Sequence, residues 1–220
     1  MDLRTLGTLL TGLGWSAILW ACALLLALAG GLVVASLRLS RRPWLRWPAT
    51  IYVEVVRGIP LLVLLIWFYF VLFTGALDLR PVPAAVLALA TCYSAFVGET
   101  YRAGIQSVDP GQMEAARALG LRWGQAMRWV VLPQAVRNVL PALGNEGISL
   151  LKDTSLASVL AVPELLKRAQ ETYGREFNQI PVLTTVGLLY LACTLLLSWG
   201  QRALERRSGA GAAHPGPGRR

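Results

Sequence analysis

Glu146, Ser149 and Asp153 fall at i, i+3 and i+7, a spacing that puts two carboxyl groups and a hydroxyl on one face of a helix. Asn145, Ser149 and Lys152 share a neighbouring face, and Thr154 follows directly. All lie in a stretch that is otherwise apolar, where ionisable groups are costly and usually face a cavity. The chemistry such a face could perform is recognition of a small polar solute that carries both donors and acceptors. Glu146 or Asp153 would accept from an ammonium group, and Asn145, Ser149 or Thr154 would donate to a carboxylate. Ser94 and Glu99 offer a second, smaller polar set. Each acid also has a plainer role open to it. Asp153 could cap a helix or pair with Lys152 or Arg168, and Glu99 could pair with Arg102 at i+3.

Bond-breaking chemistry has little to work with. The single histidine, His214, sits in a Gly/Ala/Pro-rich tail, and Asp153-Thr154-Ser155 has no base that can be named beside it. Cys22, Cys92 and Cys193 are odd in number, far apart and embedded in apolar runs, so they read as small buried hydrophobes and form neither a disulfide framework nor a metal site. No Walker-type glycine loop occurs and no cofactor is expected.

The elements that must position the polar face are membrane helices. Hydrophobic residues make up 55% of the 220, charged residues 15%, and the mean hydropathy is +0.53, whereas soluble domains carry about a quarter charged residues. The formal net charge of +9 raises nucleic acid as a partner, but the arginines sit in loops between long apolar runs, as cytoplasmic loops of membrane proteins do. A first span is expected near 10–37, read as a membrane helix and not as a cleavable leader because its charge-free run is too long. Arg38, Arg41, Arg42 and Arg46, interleaved with Trp44 and Trp47, suggest an amphipathic segment at the membrane surface. Glu54 and Arg57 are expected to pair across one turn. A second span covers 58–77, with Pro60 setting its start, and a third begins at Pro83 and runs helically past Glu99 toward Gly104. The fourth, 129–151, contains Arg137, Asn138, Asn145, Glu146 and two prolines; the fifth, 180–200, is uninterrupted.

With the N-terminus outside, five spans put fifteen of the 21 basic residues inside and leave Arg4, Arg80, Lys152, Lys167, Arg168 and Arg175 outside. The positive-inside rule favours that orientation, and dropping the fourth span would separate two basic clusters that the rule wants together. The expected fold is therefore all-α: a multi-pass membrane protein of five helices, N-out and C-in, over residues 10–205, with a disordered tail at 206–220.

Between the third and fourth spans lies a polar island, 109–133. Asp109 can cap a helix, Pro110 suits its first position, and Gln112 stands where a capping box wants Glu or Gln. The helix should stop at Gly120, with a second starting around 121–124. Within the island, Glu114-Ala115-Ala116, three residues, Gly120, nine residues, Val130, one residue and Leu132-Pro133 resemble the EAA loop of ABC importer permeases, Val130 replacing the usual Ile. The stretches 52–62, 99–108 and 149–159 resemble the polar amino acid branch of the same family.

That resemblance implies the type I permease fold in a bacterial cytoplasmic membrane. It also implies two cytoplasmic ABC ATPase subunits, a second permease copy or paralogue, and an extracytoplasmic amino-acid-binding protein. ATP hydrolysis would reside on the partners, so the chain itself is no enzyme. Glu114, Ala115, Ala116, Gly120, Leu132 and Pro133 would form the coupling contact. The competing reading is an ATPase-independent channel or secondary carrier for small polar solutes, which would favour symmetric halves with broken helices; no internal repeat is visible.

Overall fold

In the computed structural model, residues 3–176 and 179–208 are described, so the tail expected at 206–220 lies almost wholly outside them. Among the described residues every regular element is helical. In chain order these are α1 (Leu3–Arg38), α2 (Pro43–Gly58), α3 (Leu61–Trp67) running on as a π-helical stretch (Phe68–Ala76), and α4 (Pro81–Gln106). Then come α5 (Pro110–Ala118), α6 (Trp123–Ala126) with a π-turn (Met127–Val131), α7 (Leu132–Asp153) with a 3₁₀ extension (Thr154–Leu160), α8 (Leu165–Glu176) and α9 (Gln179–Ser208).

The centre of the molecule is α1 packed along α4. Ala23, Ala27, Gly31 and Ala35 continue a buried stripe of small residues along α1, which lets two apolar helices approach closely without a solvent-derived driving force between them, while Gly12 and Ser16 of the same stripe face Leu165 and Glu164. The approach is tightest where Gly31 meets Gly98: a Cβ on Gly31 would lie 2.5 Å from Val97 Cγ1, and one on Gly98 2.7 Å from Val34 Cγ1. The opposite face of α1 leaves Leu25, Leu26 and Leu32 exposed, as lipid-facing side chains would be. The helix starts at Leu3, about two turns earlier than the expected span, because nothing from Thr5 onward opposes it.

A 116° bend separates α2 from α3. Ile59, held extended (φ −108°, ψ 140°) as a residue before proline must be, and Pro60 create it. The surface segment read from Trp44 and Trp47 is thus a helix of its own, burying Ala49, Val53 and Val56 while both tryptophans stay exposed.

Among the described residues three helices, α1, α4 and α9, are long and apolar enough to cross a membrane, and α2 with α3 forms one bent pair that could supply a fourth span. The expected fourth span is a helical run from Trp123 to Asp153, but its polar residues keep it from qualifying on composition. Pro133 is accommodated by the π-turn ahead of it. The Leu132 N–H reaches back five residues to the Met127 carbonyl, easing the clash proline makes with the preceding turn.

Candidate functional site

The polar island folds as a short helix followed by a tight reversal. The Asp109 side chain accepts from the Gly111 N–H at 2.7 Å, and Pro110 occupies the first helical position. At the other end the Leu121 N–H bonds the Ala116 carbonyl and the Gly120 N–H bonds the Arg117 carbonyl, the paired closure of a Schellman cap. That closure needs a left-handed residue, and Gly120 supplies it at φ +85°. The capping box does not close through Gln112; its Oε1 instead accepts from Gln134 Nε2 of α7 at 3.2 Å.

One face of α5 is buried and one is bare. Ala116 is buried, and Met113 of the same helix packs on a cluster of Val108, Val131 and Ala135 with Met127. Glu114 and Ala115 point outward, as do Ala118 and Leu119, the last 84% exposed. Trp123 is exposed just past the glycine. Leu119 and Trp123 were missed as members of this surface, although large apolar residues flanking the glycine of a polar island are a readable signal for it. Leu132 and Pro133 lie exposed where α7 begins, and Val130 is half-buried. The Asn138 amide also donates to Ser107 Oγ at 2.9 Å, so α4, α5 and α7 are tied together around the island.

The second polar set lies along α7. Asp153 accepts from the Tyr93 hydroxyl of α4 at 2.5 Å, and neither Lys152 nor Arg168 lies within ion-pair distance of it. Glu146 and Ser149 are half-buried and Asn145 is exposed, its Oδ1 3.5 Å from Gln201 Nε2. Thr154 is fully buried and donates to the Leu151 carbonyl at 2.7 Å, which leaves its hydroxyl committed to the backbone. Ser94 is likewise engaged, with the Thr91 carbonyl and the Tyr52 hydroxyl.

Glu99 stands apart from this set. Its carboxylate takes a two-pronged contact from Arg102 (Nε at 2.9 Å, Nη2 at 2.5 Å) and a further one from Arg38 of α1. Arg57, at the end of α2, comes within 3.9 Å. The pairing expected between Arg57 and Glu54 does not form, because the bend after Gly58 turns Arg57 toward α4. Three guanidiniums around one carboxylate make a clamp joining α1, α2 and α4.

A second clamp, which sequence reasoning did not single out, closes the other end. Glu164 is fully buried ahead of α8; its carboxylate accepts from the Leu166 and Lys167 N–H groups (2.9 and 2.6 Å), the Tyr190 hydroxyl (3.1 Å) and Ser16 Oγ (3.4 Å). It caps α8 while holding α1 and α9. Burial pushes this carboxyl above the usual carboxylate range, against the opposing pull of the two backbone donors. Among the described residues no cluster of side chains could hold a metal ion, and the three cysteines are unpaired.

The structure is thus that of a helical membrane protein whose short, capped helix projects bare small and apolar residues between two helical segments. Residues 9–209 match the family described as "Binding-protein-dependent transport system inner membrane component", and the chain belongs to that family. It is 42% identical over 189 residues to the probable glutamine ABC transporter permease GlnM of Bacillus subtilis, covering 84% of this chain and 88% of that one. To the glutamine transport system permease GlnP of Escherichia coli K12 it is 39% identical over 188 residues, covering 83% and 86%. Its fold is similar to a crystal structure of an amino acid ABC transporter with histidines, at a TM-score of 0.88 and 36% identity over 93% of this chain and 96% of that one. The MetNI methionine ABC transporter in an inward-facing form shares the fold, with a TM-score of 0.82 at 21% identity. The type I permease architecture expected from the EAA spacing is therefore the architecture of this chain, and the chain is an inner-membrane component of an ABC transporter.

Proposed function

We propose that this chain moves polar amino acids inward across the cytoplasmic membrane, as one of two permease subunits driven by two ATPases and fed by an extracytoplasmic binding protein. The bare face of α5 carries this reading: a permease without a nucleotide site must receive force through a contact, and α5 is held rigidly at both ends while its outward face stays open. Glu114 meets a basic group of the ATPase, Ala115 lets the partner's backbone come close, and Leu119 and Trp123 supply apolar area. Five spans, N-out and C-in, put that face in the cytoplasm with most of the arginines.

Force has a short route inward. Movement of α5 pulls on α7 through the Gln112–Gln134 bond and the Val108–Val131–Ala135 cluster, and α7 carries the polar face. Glu146 and Asp153 suit the solute's ammonium group; Asn145 and Ser149 suit its carboxylate. Thr154 has its hydroxyl committed and contributes shape. Glu99 serves as the cytoplasmic clamp. The relatives named for glutamine transport support a zwitterionic solute.

The test is Glu114→Arg. The expected result is loss of the ATPase on co-purification and at least a tenfold fall in uptake, with the permease still folded by thermal melting. Wild-type ATPase association and transport in that variant would sink the docking role.

A further inference from the structure

An apolar groove of about 670 Å³ runs between α1, α7 and α9, within the roughly 300–1,000 Å³ typical of small-ligand sites. Leu24 and Leu28, Leu143 and Ile148, and Leu197 and Leu204 give it walls of hydrocarbon. Its polar atoms are largely satisfied: the Trp20 indole donates to the Gly147 carbonyl at 2.7 Å, and Gln201 donates to the Pro141 carbonyl and to Glu205. Leu140, Gly144, Gly147 and Ile148 line it, and these lie on the order of 120° around α7 from Asn145, Ser149 and Lys152. The groove is therefore separate from Glu146, Ser149 and Asp153 of the polar face assigned to the solute; Asn145 borders its wall, 3.5 Å from Gln201.

At the α5 end the groove opens into a second concavity that shares Leu140 and Arg207 with it. Arg128, Arg137 and Arg207 gather there, beside Leu132 and Pro133. Among the described residues no carboxylate lies within ion-pair distance of any of the three. A long hydrocarbon slot ending in three open guanidiniums has the form of a phospholipid: acyl chain in the slot, phosphate on the arginines. Charge selects this occupant over a second copy of the chain. The sequence has only 12 acids against 21 bases, and a copy would bring further arginines to the same level.

We infer that this groove binds one anionic phospholipid of the leaflet on the α5 side, its acyl chain between α1, α7 and α9 and its phosphate held by Arg128, Arg137 and Arg207. The headgroup then rests against Leu132 and Pro133, where the helical run leading from α5 enters α7.

Native mass spectrometry of the assembled importer in mild detergent tests it, with phosphatidylglycerol and phosphatidylcholine of identical chains added in turn. Phosphatidylglycerol should be retained on the permease and phosphatidylcholine released. At about fivefold per arginine, a combined Arg128→Gln, Arg137→Gln, Arg207→Gln variant should lose roughly a hundredfold in affinity. Arg207→Gln alone, the variant to read if the combination does not assemble, should lose about fivefold. Ala203→Trp, which fills the groove and spares the arginines, should weaken phosphatidylglycerol retention. Equal retention of the two lipids by the wild type, or phosphatidylglycerol retention unmoved by these substitutions, would overturn the inference. So would a disulfide cross-link between permease subunits through Leu196→Cys, which would make the groove a subunit interface.

Discussion

Replacing Glu99 with glutamine separates a structural clamp from a solute contact. The carboxylate is 20% exposed and holds Arg38 (11%), Arg102 (24%) and, more loosely, Arg57 (49%). Glutamine keeps the shape but removes the charge, leaving the Arg38 guanidinium nearly buried with no acid beside it. Breaking a fully buried pair from one side costs about 3–5 kcal/mol. The partial exposure here lowers that, and Arg57 adds less than about 1 kcal/mol, so about 2–3 kcal/mol is expected in total. For a chain of this length that is a fall of about 5–10 °C in the melting midpoint, measurable on the assembled complex. Arg38→Met combined with Glu99→Leu should recover most of the loss, since the orphaned charge goes with the acid. Solute affinity should be unchanged in any variant that still assembles. An unaltered midpoint together with a changed solute preference would refute the clamp and put Glu99 on the solute path.

Gly120→Ala should cost about 1–2 kcal/mol at the end of α5 from its left-handed backbone alone, because nothing lies within 4 Å of the added Cβ. Uptake should fall several-fold with assembly intact and Gly120→Asn should be milder; uptake at the wild-type rate in the alanine variant would show that the reversal is not needed. Glu164, whose carboxyl burial raises, favours its neutral form in the fold. Its contribution is therefore fully present below the ordinary carboxylate value and is lost as pH rises through the raised one. The melting midpoint should decline over that rise in the wild type and stay level in Glu164→Gln; parallel profiles would disprove it.

Much of the capped helix α5 and its reversal was legible because its determinants are local. Asp109, Pro110 and Gly120 set where α5 starts, how it is capped and where the chain reverses, all through bonds spanning five residues or fewer. The EAA spacing named the family on the same local terms, and the long apolar runs yielded α1, α4 and α9. Local signals misled where a partner came from elsewhere in the chain. Glu54 and Arg57 are correctly spaced for a helical pair, yet Arg57 meets Glu99 because a 116° bend, whose site Pro60 marks but whose angle packing sets, turns it that way. Gln112 had the right place for a capping box and is drawn off by Gln134, 22 residues on.

The rest needed three dimensions. Glu164 in sequence is an acid after a proline; only folding brings Ser16, 148 residues away, and Tyr190 to it and makes it a buried clamp. The lipid groove has walls from α1, α7 and α9 and a rim from Arg128, Arg137 and Arg207, none of which are neighbours in the chain. Backbone caps and hydrophobic runs are set by adjacent residues, and so can be read in one dimension. Which arginine meets which acid, and which apolar faces enclose a cavity, depends on crossing angles between helices that no local pattern specifies.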